Sequence, residues 1–157
     1  MRIVLIWTGK TRDRRLGALV DDYLDRARRM ARVDVVELRD RGGASSTKGE
    51  PAVLEREADG ILAALEDGDV VVLCDEAGVQ LRSAEFAGII SERQMRSTRR
   101  MVFVIGGYLG VSDRIRDRAD TVLALSKMTF THEMARVLLA EQLYRALTIV
   151  NGIPYQK

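Results

Sequence analysis

Five short apolar runs alternate with five helical patterns, and that alternation leaves few folds open. Arg2–Trp7, Val33–Leu38, Asp69–Cys74, Met101–Ile105 and Thr121–Leu125 place Val, Ile and Leu in succession, without period-two alternation. Runs of this kind fit strands buried on both faces, the condition of a parallel sheet covered by helices. Between the first two, Thr11 to Met30 sets Leu16, Leu19, Val20, Tyr23, Leu24 and Ala27 at helical spacing. Pro51 opens a second helix to about Glu66, and Ser83-x-x-Phe86 begins a third. Ser112–Ala119 predicts a short fourth helix and Thr131–Val150 a long fifth. Asp40–Gly49 (DRGGASSTKG) is the one loose loop. No repeat or linker divides the chain, so residues 1–157 are expected to form one α/β domain.

Apolar residues at 46% and charged residues at 31% suit a soluble chain that buries a real core. No stretch nears the roughly 20 apolar residues of a membrane span, and the first apolar run ends at Gly9, too short for a secretory leader. The single cysteine, Cys74, forbids an internal disulfide, which points to the cytoplasm. A net charge of +2 does not by itself announce a nucleic-acid partner. The kind of base says more. Only Lys10, Lys48, Lys127 and Lys157 are lysines among 25 basic residues, and the rest are arginines, whose flat fork suits phosphate.

The last helix carries apolar residues nearly all round, including Val137, Leu138, Leu139, Leu143, Tyr144, Leu147, Ile149 and Val150. A helix of that kind is buried on more than one side. A partner subunit is the expected second cover, hence a homodimer.

In parallel sheets ligands bind at the carboxyl ends of strands. Those ends read Thr8-Gly9-Lys10, Asp75-Glu76-Ala77-Gly78, Gly106-Gly107-Tyr108-Leu109-Gly110 and Ser126-Lys127-Met128-Thr129. The glycine stretch is neither a Walker loop nor a dinucleotide fingerprint, since no Lys-Ser follows and it comes late in the chain. A phosphoacceptor receiver would need carboxylates after the first strand, where Trp7-Thr8-Gly9-Lys10 stands. One histidine, His132, excludes a histidine metal cluster, and no G-x-S-x-G appears. The chemistry therefore falls to backbone groups and to a cofactor with reactivity of its own. Lys10, Arg12, Arg14 and Arg15 cluster after the first strand, at the ligand end of the sheet. Basic residues are unfavourable in a helix's first turn, which points to a phosphate-gripping role.

The chain resembles the RlmH family of SPOUT-class methyltransferases over nearly its whole length. The resemblance rests on Ile6-x-x-Gly9-Lys10, on Phe103-Val104-Ile105-Gly106-Gly107-x-x-Gly110 and on Leu125-Ser126-Lys127-Met128-Thr129-Phe130-x-His132. It continues through Arg136-Val137-x-x-x-Glu141-Gln142-Leu143-Tyr144-Arg145-Ala146 and closes with Gly152-x-Pro154-Tyr155. It implies a parallel-sheet α/β fold with a C-terminal trefoil knot, a homodimer, and S-adenosylmethionine as cofactor. It implies methyl transfer to N3 of a pseudouridine in 23S ribosomal RNA of the assembled ribosome, with neither DNA nor membrane as a partner.

By match to the family's motif, the cofactor site takes Cys74, Gly106 and Leu125, Ser126, Lys127, Met128, Thr129 and Phe130. Arg136 and Tyr155 are the candidate catalytic groups, with Arg136 of the same or the partner subunit also the expected cation that would lower the Tyr155 pKa. Lys10, Arg12, Arg14, Arg15 and His132 are the candidate RNA contacts. The chain departs from the pattern at Cys74, where leucine is usual, at Thr131, where proline is usual, and at Gln156, where the tail usually has histidine. Glutamine cannot take a proton, so the departure at Gln156 keeps a non-catalytic ribosome-binding factor as the competing reading.

Overall fold

The computed structural model describes residues 1–39 and 49–155. Most of the loop expected over Asp40–Gly49 lies outside the described residues, as does Gln156. The order of elements is β1 (Arg2–Thr8), α1 (Arg14–Arg28), β2 (Arg32–Leu38), α2 (Glu50–Ala64), β3 (Val70–Gln80), α3 (Ser83–Met95), β4 (Arg100–Ile105), α4 (Asp113–Arg118), β5 (Thr121–Ala124) and α5 (His132–Val150). Every expected strand and helix is present, with ends shifted by a few residues, and β3 is the exception in length.

The five strands are all parallel, in the order β2-β1-β4-β3-β5. The central strands are the most apolar, with Ile3–Thr8 and all of β4 buried. Alternate side chains feed two cores. Ile3, Leu5, Trp7, Met101 and Phe103 meet α1, α3 and α5 on one face. Val4, Ile6, Val102 and Val104 meet Ala58 and Ile61 of α2 and Ile115 of α4 on the other. The connections leaving β3 and β4 therefore turn to opposite faces, which opens a crevice at their carboxyl ends.

Two sequence expectations need correction. β3 does not stop at Cys74. It loops out at Asp75–Gly78 and pairs again with β5 through Val79–Leu123 and Gln80–Ala124. A Cβ on Gly78 would lie 2.6 Å from the Val122 carbonyl carbon and 2.7 Å from the Ala124 nitrogen, so only glycine fits this return. The second correction concerns α5. Much of its apolar circumference is covered within the chain, because α5 lies on the sheet between α1 and α3, while Ile149 stays exposed. These neighbours meet most of the burial expected of a partner subunit, and the end of the helix at Ile149 is left uncovered.

Two helices close with the same capping pattern and different residues. In α5 the N–H groups of Gly152 and Ile153 donate to the carbonyls of Ile149 and Thr148, with Gly152 at φ +66°. In α3 the N–H groups of Ser97 and Thr98 donate to Gln94 and Arg93, with Ser97 at φ +55°. This is the Schellman arrangement, whose left-handed residue is ordinarily glycine. A serine there carries a steric penalty that glycine lacks. Ser97→Gly is expected to stabilise the fold by about 0.5–1 kcal/mol. A thermal melt showing no rise in Tm would count against that strain.

Candidate active site

The carboxyl ends of β3, β4 and β5 enclose a cleft of about 790 Å³. Its floor is Cys74 and Ile105, the last residues of the β3–β4 pairing. One wall is the turn Gly106–Val111, another the looped segment Asp75–Ala77, and the third the segment Leu125–Thr131 with His132 and Ala135 of α5.

The glycine turn is built by the chain's own close approach. The Gly110 N–H donates to the Gly107 carbonyl at 3.1 Å, and Gly110 stands at φ +82°. A Cβ on Gly106 would fall 2.5 Å from the Gly110 oxygen and 2.6 Å from a Val111 methyl. A Cβ on Gly107 would meet the Glu57 carboxylate at 2.8 Å. Glu57 is buried beneath this turn. The sequence reading passed over it, although its spacing between Val53 and Ile61 sets it on the inward face of α2.

The opposite wall holds its shape through side-chain oxygens. Ser126 Oγ accepts the Met128 N–H at 2.9 Å, and the Thr129 hydroxyl donates to Glu76 Oε2 at 2.5 Å. Arg116 reaches from α4 to Asp75 at 2.7 Å. Burial alone would raise the Asp75 carboxyl, but the Arg116 guanidinium and the Ala77 N–H hold it below its ordinary value. At the rim, Met128 is 74% and Phe130 40% exposed, apolar area that a flat ligand would cover.

Most of the expected cofactor residues meet in this cleft: Cys74, Gly106, Leu125, Ser126, Met128, Thr129 and Phe130 all line it. Lys127 is exposed and is not among the lining residues. Burial, aided by the charge of Asp75, pushes the Cys74 thiol up to about 12. It stays a thiol at pH 8 and is a poor nucleophile. Alkylation of the native protein by iodoacetamide at pH 8 is expected to be far slower than that of the unfolded chain. Equal rates would refute the desolvated placement.

The candidate catalytic and RNA residues divide. His132 joins the cleft as the first residue of α5, after the Thr131 cap. Lys10, Arg12, Arg14 and Arg15 are exposed beside it. Glu133 fixes their backbone by accepting the N–H groups of Arg12 at 2.9 Å and Asp13 at 3.1 Å. Those bonds, the Arg12 one foremost, hold the Glu133 carboxyl below its ordinary range. Arg15 is paired with Asp13 at 3.1 Å.

Arg136 has structural partners. It is wholly buried, over the Trp7 ring, and donates to the Thr8 carbonyl at 2.7 Å and the Thr11 hydroxyl at 2.9 Å. Its guanidinium is engaged by these partners, and within one chain it does not neighbour Tyr155. Tyr155 packs on Tyr144 at 4.6 Å between ring centroids, with the Arg145 guanidinium over its ring. Burial first, then Tyr23 and Glu141, raise the Tyr155 pKa, and Arg145 only partly opposes them. The chain's own groups thus raise the Tyr155 pKa rather than lower it.

Comparisons with known proteins identify the family. Residues 1–156 match the family described as "Predicted SPOUT methyltransferase". The chain is 41% identical over 155 residues to ribosomal RNA large subunit methyltransferase H of Geotalea daltonii, covering 99% of both chains. It is 43% identical to the protein of that name from Trichlorobacter lovleyi, covering 99% of both, and 38% identical to that of Bacteroides fragilis, covering 99% of this chain and 98% of the relative. A probable methylase family protein from Haemophilus influenzae Rd KW20 shares the fold at TM-score 0.52 and 15% identity, over 99% of this chain and 70% of that one. With a family match over nearly every residue, the chain belongs to the SPOUT methyltransferases.

Proposed function

We propose that this adenosylmethionine-dependent methyltransferase modifies N3 of a pseudouridine in the 23S RNA of the assembled ribosome, in the cytoplasm, as a homodimer with a C-terminal trefoil knot. The single observation that carries the reading is the cleft, which gathers seven of the eight motif-matched cofactor residues at the carboxyl ends of three strands. The residues present fit the cofactor. Backbone groups of Gly106–Gly110 and Leu125–Thr129 suit the edges of adenine, Leu125, Met128 and Phe130 suit its faces, and Asp75 and Glu76 suit a cationic ligand. When bound, adenosylmethionine supplies an electrophilic methyl group. The protein's own task is to align the two reactants and to manage the proton of the target nitrogen.

Position within α5 supports the homodimer. His132 to Tyr144 spans roughly 18 Å along a helix. Tyr155 folds back on Tyr144, so it lies far from the cleft of its own chain. The tail reaches a cleft only if that cleft belongs to a second copy. Leu19, Ile149 and Ile153 remain exposed near this end and offer apolar area for such a contact. For the knot, the supporting path is the segment Leu125–Thr131. It lines the cleft together with the ends of β3 and β4 and leads into α5 on the face of α1 and α3.

Tyr155 in this arrangement is a hydrogen-bond donor that holds the target base rather than the group that removes its proton. Tyr155→Phe is expected to lower single-turnover methylation of vacant ribosomes at least tenfold, with calorimetric cofactor affinity unchanged and the same pH profile as the parent. A profile that loses an alkaline limb would restore Tyr155 as a base. Cofactor binding without any methyl transfer to ribosomes would favour the non-catalytic factor.

A further inference from the structure

The opposite edge of the sheet carries a second concentration of arginine. Register places Arg32 of β2 and Arg100 of β4 directly across from Arg2 of β1. Three guanidinium side chains thus start on one face of three neighbouring strands, spaced by about 4.8 Å. Like charges directly opposite one another destabilise a sheet, so such a row needs anions. The chain supplies some of them. Asp34 pairs with Arg2 at 2.5 Å, Asp69 lies 3.2 Å from Arg100, and Glu66 contacts both Arg99 and Arg100. Arg32 is exposed and has no ion pair among the described residues, and Arg99 stays 81% exposed despite its pairing. Burial foremost, and then the nearby Arg2, push the Arg100 pKa down. A hollow of about 660 Å³ opens among these four arginines, and the hydroxyl residues Ser97 and Thr98 line it too. Ser97 is the residue that keeps a left-handed conformation where glycine would be easier.

We propose that this hollow is a second phosphate site, which takes backbone phosphates of the RNA substrate at the end of the sheet remote from the cleft. Arg2 to Thr8 spans roughly 20 Å of strand, so the site grips a different stretch of RNA from the one grasped by Lys10–Arg15. Arg2 and Arg100, held by carboxylates, form its fixed base, and the exposed Arg32 and Arg99 supply the outer donors, Arg99 while also paired with Glu66. The proposal rests on the ribosomal reading above and extends it to how the protein is held on its substrate.

The test is the Arg32→Ala/Arg99→Ala double variant, which leaves the ion pairs of Arg2 and Arg100 in place. Binding to vacant ribosomes is measured across potassium chloride concentration, beside calorimetry of adenosylmethionine and a thermal melt. The expected result is a salt slope shallower by about 1.4–1.8, the loss of two phosphate contacts, with cofactor affinity unchanged. Arg32→Glu should weaken ribosome binding further at low salt. Parent protein that binds ribosomes while both variants keep its slope and affinity would overturn the site and leave the function standing. Parent protein that binds cofactor but no ribosome would overturn the substrate reading itself, and the RNA assignment of this site with it. Amide shifts at residues 97–100 on adding inorganic phosphate, with the ribosome slope unaltered in the variants, would assign a small-anion site and overturn the RNA proposal.

Discussion

Gly106→Val is expected to abolish adenosylmethionine binding and to lower the stability of the cofactor-free protein as well. The second half of that expectation comes from the turn. Before any ligand arrives, a Cβ at this position overlaps the Gly110 oxygen at 2.5 Å and the Val111 methyl at 2.6 Å. These atoms are close neighbours in sequence, so the strain is relieved by opening the turn that walls the cleft. Overpacking of this kind costs about 1–3 kcal/mol, and a branched side chain lies at the upper end. Gly106→Ala tests the same point with the smallest addition, and should still weaken the cofactor at least tenfold. Gly110→Ala separates space from conformation, because its Cβ meets nothing within 4 Å while φ is +82°. It should lower stability by about 1–2 kcal/mol through backbone strain alone. A Gly106 variant that melts like the parent but binds no cofactor would mean that glycine is there for the ligand's approach and not for the turn. Unchanged melting and unchanged affinity together would remove this turn from the site.

How far the residues disclosed the molecule can be followed strand by strand. Apolar runs such as Val70–Leu73 and Met101–Ile105 betray strands because burial on both faces demands them. Strand order is another matter. β4 lies between β1 and β3 through pairings that local pattern does not encode. The return of β3 over Val79–Gln80 was hidden because its loop, Asp75–Gly78, is polar and reads as the end of a strand. α5 shows the limit of hydrophobicity as a guide. Its apolar circumference correctly announced burial on several sides, but periodicity cannot say whether the cover is a partner or α1 and α3. Within the cleft, strand ends and glycines were legible, since parallel sheets place ligands there. The Glu76–Thr129 and Arg116–Asp75 pairs were not, because each joins residues more than 40 positions apart. Arg136, a cation in an apolar helix near the motif, reads from the sequence as either a reagent or half of a structural pair, and local pattern does not decide. The structural partner is the Thr8 carbonyl, 128 residues away.

That carbonyl makes Arg136 the second position where a large effect is expected. Burial lowers the Arg136 pKa, yet the guanidinium remains charged, because its value starts so high. It is a buried cation held by a backbone oxygen, a hydroxyl and the face of Trp7. Arg136→Ala removes the donors, leaves the Thr8 carbonyl unpaired and opens a cavity beneath α5, so the expected loss is about 3–5 kcal/mol. For a domain of this size that is a Tm fall of roughly 6–20 °C. Arg136→Met keeps the stem's volume without the donors and should lose less than alanine, since an apolar replacement of similar volume spares the cost of burying a charge. Arg136→Lys keeps the charge but has no fork to span Thr8 and Thr11 together, and should fall between the parent and alanine. Function should follow structure in this series. Arg136 ties the start of α5, which carries His132 into the cleft, to the β1–α1 segment bearing Lys10 and Arg12, so loosening it should weaken cofactor and ribosome together. The contrary outcome is equally readable. If Arg136→Lys melted like the parent and bound cofactor like the parent, yet methylated ribosomes a hundredfold more slowly, the guanidinium would have to leave Thr8 and meet the substrate during the reaction.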